Sequence, residues 1–186
     1  EGRKTMTRRL VPWALTEQWM EFVSDAPSVG GVYVHESEKE FYEREAPRYK
    51  VGEVVAVAQS YRDVCAGGFE PDATILRLFE EQRIAGWTNK MFTKAELMPY
   101  QIRITGIKCE RLQDISDEDC FREGISESWY ESTDTTTYGY ADEKKGTAVE
   151  FDTPRKAFAT LIDKGSGKGT WARNPWVVVY EFELVK

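Results

Sequence analysis

The chain has 186 residues, 41% hydrophobic and 31% charged, which is an ordinary composition for a folded domain and enough chain to close a core without disulfides or metal. Its 25 Lys and Arg against 32 Asp and Glu give a formal net charge of −7, which disfavours an extended, non-specific nucleic-acid footprint and leaves room for a local basic pocket. No apolar run approaches the roughly 20 residues of a membrane span. Three cysteines without CxxC spacing and a single His argue against a disulfide framework, a metal site and His-based catalysis, and for a reducing, cytoplasmic setting with no cofactor.

The chain opens Glu1-Gly2-Arg3-Lys4, which reads as a helix ending in a loop at Gly2, so a strand or helix is expected before Glu1. Residues 3–9 gather Arg3, Lys4, Arg8 and Arg9 in an otherwise acidic chain. A short helix is expected around residues 16–23, a turn at Gly30-Gly31 and a short strand over 32–34. Residues 36–50 are charged and expected at the surface. Val51-Gly52-Glu53 reads as a turn feeding a β-branched strand over 54–58. Residues 72–83 carry Ile75, Leu76, Leu78 and Phe79 at mixed spacing, a helix or a loop. Residues 100–112 alternate Ile102, Ile104 and Ile107 with Arg103, Thr105 and Lys108, which predicts a strand with one wet face and a bulge at Gly106.

The sharpest helix signal follows. Ser116 is the expected N-cap, Asp119 completes a capping box, Ile115 and Cys120 hold the staple positions, and Gly124 is the stop. Residues 126–150 are poor in aliphatics and read as an inserted loop, or a hairpin whose second strand is 148–151. Thr153-Pro154 opens a helix with Phe158, Leu161 and Ile162 on one face and Gly165 as its end. Residues 165–170 are expected to be flexible. Their Gly-Ser-Gly-Lys-Gly-Thr run looks phosphate-cradling but lacks P-loop spacing and follows a helix rather than a strand. A closing strand is expected over Trp176–Leu184. The pattern predicts one mixed α+β domain over 1–186, built around a curved sheet or barrel.

Three features can carry chemistry. Lys4 and Thr7 share a face if their segment is tightly turned, and a Lys with a depressed pKa can activate a hydroxyl. Glu123 stands at the negative end of its helix, so a cationic partner is expected, and Lys4 or Arg8 can supply it. Trp87, Trp171 and Trp176 lie near Arg or Asn and can stack on a base. The plain alternatives are a solvated basic segment, an exposed Glu and core packing. His35 among Glu36, Glu38 and Glu40 reads as a solvated side chain rather than a ligand.

Gly2-Arg3-Lys4-Thr5-x-Thr7-Arg8-Arg9 resembles the opening signature of ASCH domains in the PUA-like superfamily. Residues 49–57, 89–92, 102–124, 158–161 and Trp171-x-x-Asn174-Pro175-Trp176-Val177 resemble its later blocks, in order. The combination is typical of small bacterial and prophage members. The resemblance implies a PUA-like β-barrel with flanking helices, preceded in the family by a further strand and helix. It implies binding of RNA or a modified nucleoside in a cleft beside the barrel. One bacterial branch is similar in using a Lys, a Thr and a Glu to deacetylate acetylated cytidine, and its motif maps them to Lys4, Thr7 and Glu123. The chain departs from the family at Ala58-Gln59-Ser60-Tyr61, where many members carry Arg-Glu-Thr-Trp, and in the 126–150 insertion.

Two functions follow from this reading. In the first, the chain is a binding module whose Arg3, Lys4, Arg8 and Arg9 contact phosphate or base while Trp87, Asn174 and Trp176 complete the pocket. The −7 charge then implies a short ligand and strongly salt-sensitive affinity. In the second, the chain is an amidohydrolase in which Lys4 activates Thr7 and Glu123 orients the Lys, which requires all three to converge. A closed Lys4–Glu123 salt bridge would instead clamp the N-terminal segment to the helix.

Overall fold

The computed structural model describes residues 4–25, 28–29, 32–33, 36–67, 73, 76–77, 84–142 and 146–185. In chain order the elements are β1 (Met6–Leu10), α1 (Trp13–Asp25), β2 (Ser28–Val29), β3 (Val32–Tyr33), α2 (Glu38–Glu45), β4 (Val54–Ala56), α3 (Tyr61–Ala66), β5 (Gln101–Arg111), α4 (Asp117–Arg122), β6 (Ser126–Tyr130), β7 (Thr135–Asp142), β8 (Thr147–Phe151), α5 (Pro154–Ser166), α6 (Thr170–Arg173) and β9 (Trp176–Leu184). The fold is mixed α+β, with helices and a curled antiparallel half-barrel sheet of order β1-β9-β5-β4. Gly2, Arg3, Gly30, Gly31, His35 and most of 72–83 lie outside the described residues. By compactness the chain divides into two units, one from Glu1–Arg48 and Gly106–Glu181, the other from Tyr49–Thr105 and Phe182–Lys186.

In the first unit β1 runs antiparallel to β9, with Arg8 opposite Val179. Its core joins Met6, Leu112, Ile115, Cys120, Ile125, Tyr140, Ala157, Phe158, Val177 and Val179. Local chemistry explains how α4 is set into that core. The Ser116 hydroxyl accepts the Asp119 amide at 3.1 Å. At the other end Gly124 takes φ +103°, its amide donates to the Phe121 carbonyl, and the Ile125 amide donates to Cys120. That pair of bonds is a Schellman cap, and the cap's apolar partners, Cys120 and Ile125, are both buried. The expected capping box is only half made, because the Asp119 carboxylate is engaged by Arg8 instead.

Several sequence expectations are revised here. Residues 126–151 contain the expected hairpin, β7-β8, with its second strand over Thr147–Phe151, and β6 extends it to a three-stranded antiparallel meander where a loop was expected. The Thr and Tyr content that suggests a loop also favours strands, and on one face of β7 Tyr140 and Asp142 are buried with Thr136 and Tyr138 half-buried. Helix α5 begins as expected, with Thr153 capping the Lys156 amide and Pro154 in the first turn, but passes through Gly165 and stops at Gly167. The glycine-rich run after it is ordered: Asp163 accepts the Gly169 amide at 2.9 Å and the Trp171 amide at 2.7 Å. The chain's own carboxylate fills the anion-binding turn that resembled a phosphate cradle. The charged stretch after 36 contains α2, started by a full Ser37–Glu40 capping box and burying Phe41 and Tyr42. Helix α1 is longer than expected, running from Trp13 to Asp25.

In the second unit β4 pairs with β5, with Val54 opposite Arg103. The strand is shorter than the expected 54–58. Tyr61, Val64 and Met98 form its core, with Ala56, Cys65, Trp87 and Leu97 packed against them. Ser60 caps α3. Gly86 takes φ +98°, and a Cβ there would stand 2.7 Å from the Tyr61 ring, so no other residue fits. In the Ala58-Gln59-Ser60-Tyr61 stretch, Ser60 is therefore a helix cap and Tyr61 a core residue.

Candidate functional site

Side chains alternate along β1, so Met6 and Arg8 face inward while Thr7 and Arg9 point the other way. The Arg8 side chain is fully closed off from solvent, and three carboxylates surround it. Its Nη2 lies 2.6 Å from Glu110 Oε1 and 2.8 Å from Asp119 Oδ2, and its Nη1 lies 3.2 Å from Glu123 Oε1. The other oxygen of Glu123 meets Lys4 Nζ at 2.9 Å. Lys108 bridges Glu110 and Asp119 at 2.8 and 3.6 Å. Arg122 joins Asp119 to Glu181 at 3.5 and 3.1 Å.

Four cations thus face four carboxylates, and their formal charges cancel. Burial works against ionisation of both Arg8 and Asp119. For Arg8 the hydrogen bond and charge of Glu110, with Asp119 and Glu123, outweigh it and hold the guanidinium above its ordinary pKa. For Asp119 the hydrogen bond and charge of Arg8, with Lys108 and Arg122, hold the carboxyl below its ordinary range. Breaking such a set by removing its central cation costs far more than the set gains over an apolar filling.

The structure brings Lys4, Arg8 and Glu123 together and leaves Thr7 out. The Thr7 hydroxyl accepts a hydrogen bond from Arg9 Nη1 at 3.0 Å, on the other face of β1. The cationic partner expected for Glu123 is present twice. The Thr5 amide also donates to the Arg122 carbonyl at 2.9 Å, so backbone and side chains both tie the segment before β1 to the end of α4. Arg3 lies outside the described residues.

The remaining expected ligand contacts have packing partners. Trp87 packs against the core of the second unit. Asn174 adopts a left-handed conformation (φ +46°) after α6, and its Oδ1 accepts the Gln113 amide at 2.8 Å. Trp176 carries the Arg111 guanidinium 4.7 Å from its ring centre and touches Tyr42.

A cavity of about 350 Å³ opens instead at the start of α5, lined by Asp117, Thr153, Arg155, Lys156, Ala159 and Trp171. Its aromatic wall is fixed from several sides. The Trp171 ring meets Phe158 edge-on at 6.2 Å, and Asp163 holds the Trp171 amide. The Arg155 guanidinium stands 5.7 Å from the Trp171 ring centre and donates to the carbonyls of Ile115 (2.5 Å) and Gln113 (2.6 Å). Gln113 in turn donates to the Trp171 carbonyl at 2.8 Å. Lys156 is exposed at the rim, 2.6 Å from Asp152. An ordered π-surface beside two cations can hold a planar, anionic ligand. Sequence reasoning singled out Trp171 but missed Arg155 and Lys156, whose signal is a basic pair directly after a Thr-Pro helix start.

Comparison of the chain with models of protein families, with curated proteins and with solved structures gives no match. Among the described residues no helix is long and apolar enough to cross a membrane. Among the same residues no group of three His, Cys, Asp or Glu side chains is placed to hold a metal ion.

Proposed function

We propose that the protein is a binding module of ASCH, PUA-like type that takes a short single-stranded RNA segment or a modified nucleotide in the cleft at the start of α5. The observation that carries this reading is the Trp171 ring fixed beside Arg155, with Lys156 at the rim of the same cavity. A base stacks on the Trp171–Arg155 wall, and a phosphate meets Lys156 and the positive end of the 13-residue α5. A compact pocket of this kind suits a chain of net charge −7, which repels long nucleic acid.

The test is fluorescence anisotropy with labelled tetraribonucleotides, comparing the intact protein with Lys156→Glu. Lys156 is exposed and away from both cores, so its replacement reads binding rather than folding. Affinity is expected to fall at least about tenfold in the variant. Unchanged affinity would remove the cleft from consideration.

The deacylase alternative rests on the Lys4–Glu123 pair, and the position of Thr7 gives it less support. It requires release of acetate from acetylated cytidine that stops in Thr7→Val, and no turnover is expected.

A further inference from the structure

We infer that the outer face of α1 is a docking surface for a basic amphipathic helix of another protein. This inference is independent of the nucleotide cleft. Helix α1 carries one broad apolar arc. At one edge Trp19 and Phe22 meet Phe41 of α2, with ring centres 5.4 and 6.3 Å apart. Toward the other edge Trp13 is 68% exposed, Met20 58% and Val23 43%. Their spacing of seven and three residues puts these three on one stripe, the pattern that helix-on-helix docking reads. A Trp with two-thirds of its surface in water is costly to leave bare, and Trp is among the residues most enriched where partners bind.

Charge selects the occupant. Glu17 and Glu21 border the stripe, Asp25 ends the helix, and the sequence has no Lys or Arg between Arg9 and Lys39. A second copy of α1 would set acid against acid. RNA and anionic lipid are repelled for the same reason. A helix with an apolar stripe flanked by Lys or Arg complements both the hydrophobic and the electrostatic pattern. Trp13 and Met20 insert into its stripe, while Glu17 and Glu21 pair with its cations.

The experiment titrates the full chain, followed by calorimetry, with three synthetic peptides. The first is an amphipathic helix of Leu and Lys in heptads, the second has the same composition scrambled, and the third has Glu in place of Lys. The expected result is saturable binding of the first, at least about tenfold weaker binding of the other two, and a loss of about tenfold in each of Trp13→Ala and Met20→Glu. Met20→Glu adds negative charge, so weakening there identifies the apolar stripe rather than general attraction to an acidic protein. Both residues are exposed, and unchanged circular dichroism verifies that the variants fold. Equal binding of the scrambled peptide overturns the proposal, as does no binding at all. Concentration-dependent self-association that Met20→Glu abolishes also overturns it, by assigning the face to a second copy.

Discussion

Arg8 and Glu123 stand 115 positions apart in sequence and 3.2 Å apart in space, both shut off from water. This contact, with the Lys4–Glu123 pair beside it, joins the first strand to the cap of α4. Glu123 occupies the C-cap position, where the helix's own carbonyls disfavour a carboxylate, so the two cations offset an unfavourable placement as well as close a salt bridge.

Replacing Arg8 with Ala leaves Glu110, Asp119 and Glu123 around an empty site. The expected loss of stability is about 3–5 kcal/mol, read from urea unfolding. Arg8→Lys should recover part of it, since one ammonium cannot serve three carboxylates with the geometry of a guanidinium. A loss under about 1 kcal/mol in Arg8→Ala would mean that the cluster contributes little to the fold.

The same cluster sets a pH dependence. The Asp119 carboxyl is held below its ordinary range in the folded state, so its contribution is fully present above the unfolded value, about 4, and fades as pH falls through the depressed folded value. Asp163, held low by the Trp171 and Gly169 amides, acts in the same direction. Stability should therefore decline below about pH 4. In Asp119→Asn it should be lower at neutral pH and change less steeply in acid. Parallel acid profiles for the two proteins would contradict this assignment.

Thiol chemistry separates the three cysteines. Burial, aided by the negative charge of Glu43, pushes the Cys109 thiol up to about 12, and burial with Asp117 does the same for Cys120. Cys65 is only half-buried. An aromatic disulfide reagent at pH 8 is expected to modify Cys65 first and to reach the other two only when urea unfolds the chain. Fast modification of all three in the native protein would contradict the burial of Cys109 and Cys120.

Gly139 in β7 gives a test of the meander. A Cβ added there would collide with the carbonyl oxygen of Val149 on the neighbouring strand. Gly139→Ala is expected to cost about 1–3 kcal/mol, whereas Gly146→Ala meets nothing nearby and pays only for its φ of +64°. Equal thermal midpoints for Gly139→Ala and the parent would place β7 and β8 in a different register.

The helix starts are legible in the sequence because they act over a few residues, whereas competition between distant side chains is not. Ser116, Gly124 and the Thr153-Pro154 pair act within a few residues, so their caps follow from composition and spacing. Asp119 was expected to reach back to Ser116, but Arg8, 111 positions away, takes its carboxylate. No local rule weighs that competition. Glycine dominates the run at 165–170 and predicts flexibility, yet Asp163 holds the Gly169 amide within it and the Trp171 amide just after it. The Lys4–Glu123 pair is legible because a carboxylate at a helix C-terminus calls for a cation. Thr7 shares a face with Lys4 only in a tightly turned segment, and the resemblance that pairs them carries no such geometry; the chain here is extended, which sends every second side chain to the other face.

The cleft itself can be watched directly. The most direct measurement is a ¹⁵N–¹H correlation spectrum of the protein titrated with an unlabelled tetraribonucleotide at low salt. The expected result is a saturable shift of the Trp171 indole resonance together with the amides of Thr153, Arg155 and Lys156, weakening as salt is raised. Shifts confined to the neighbourhood of Lys4 and Glu123, or a spectrum that does not change, would contradict the cleft as the binding site.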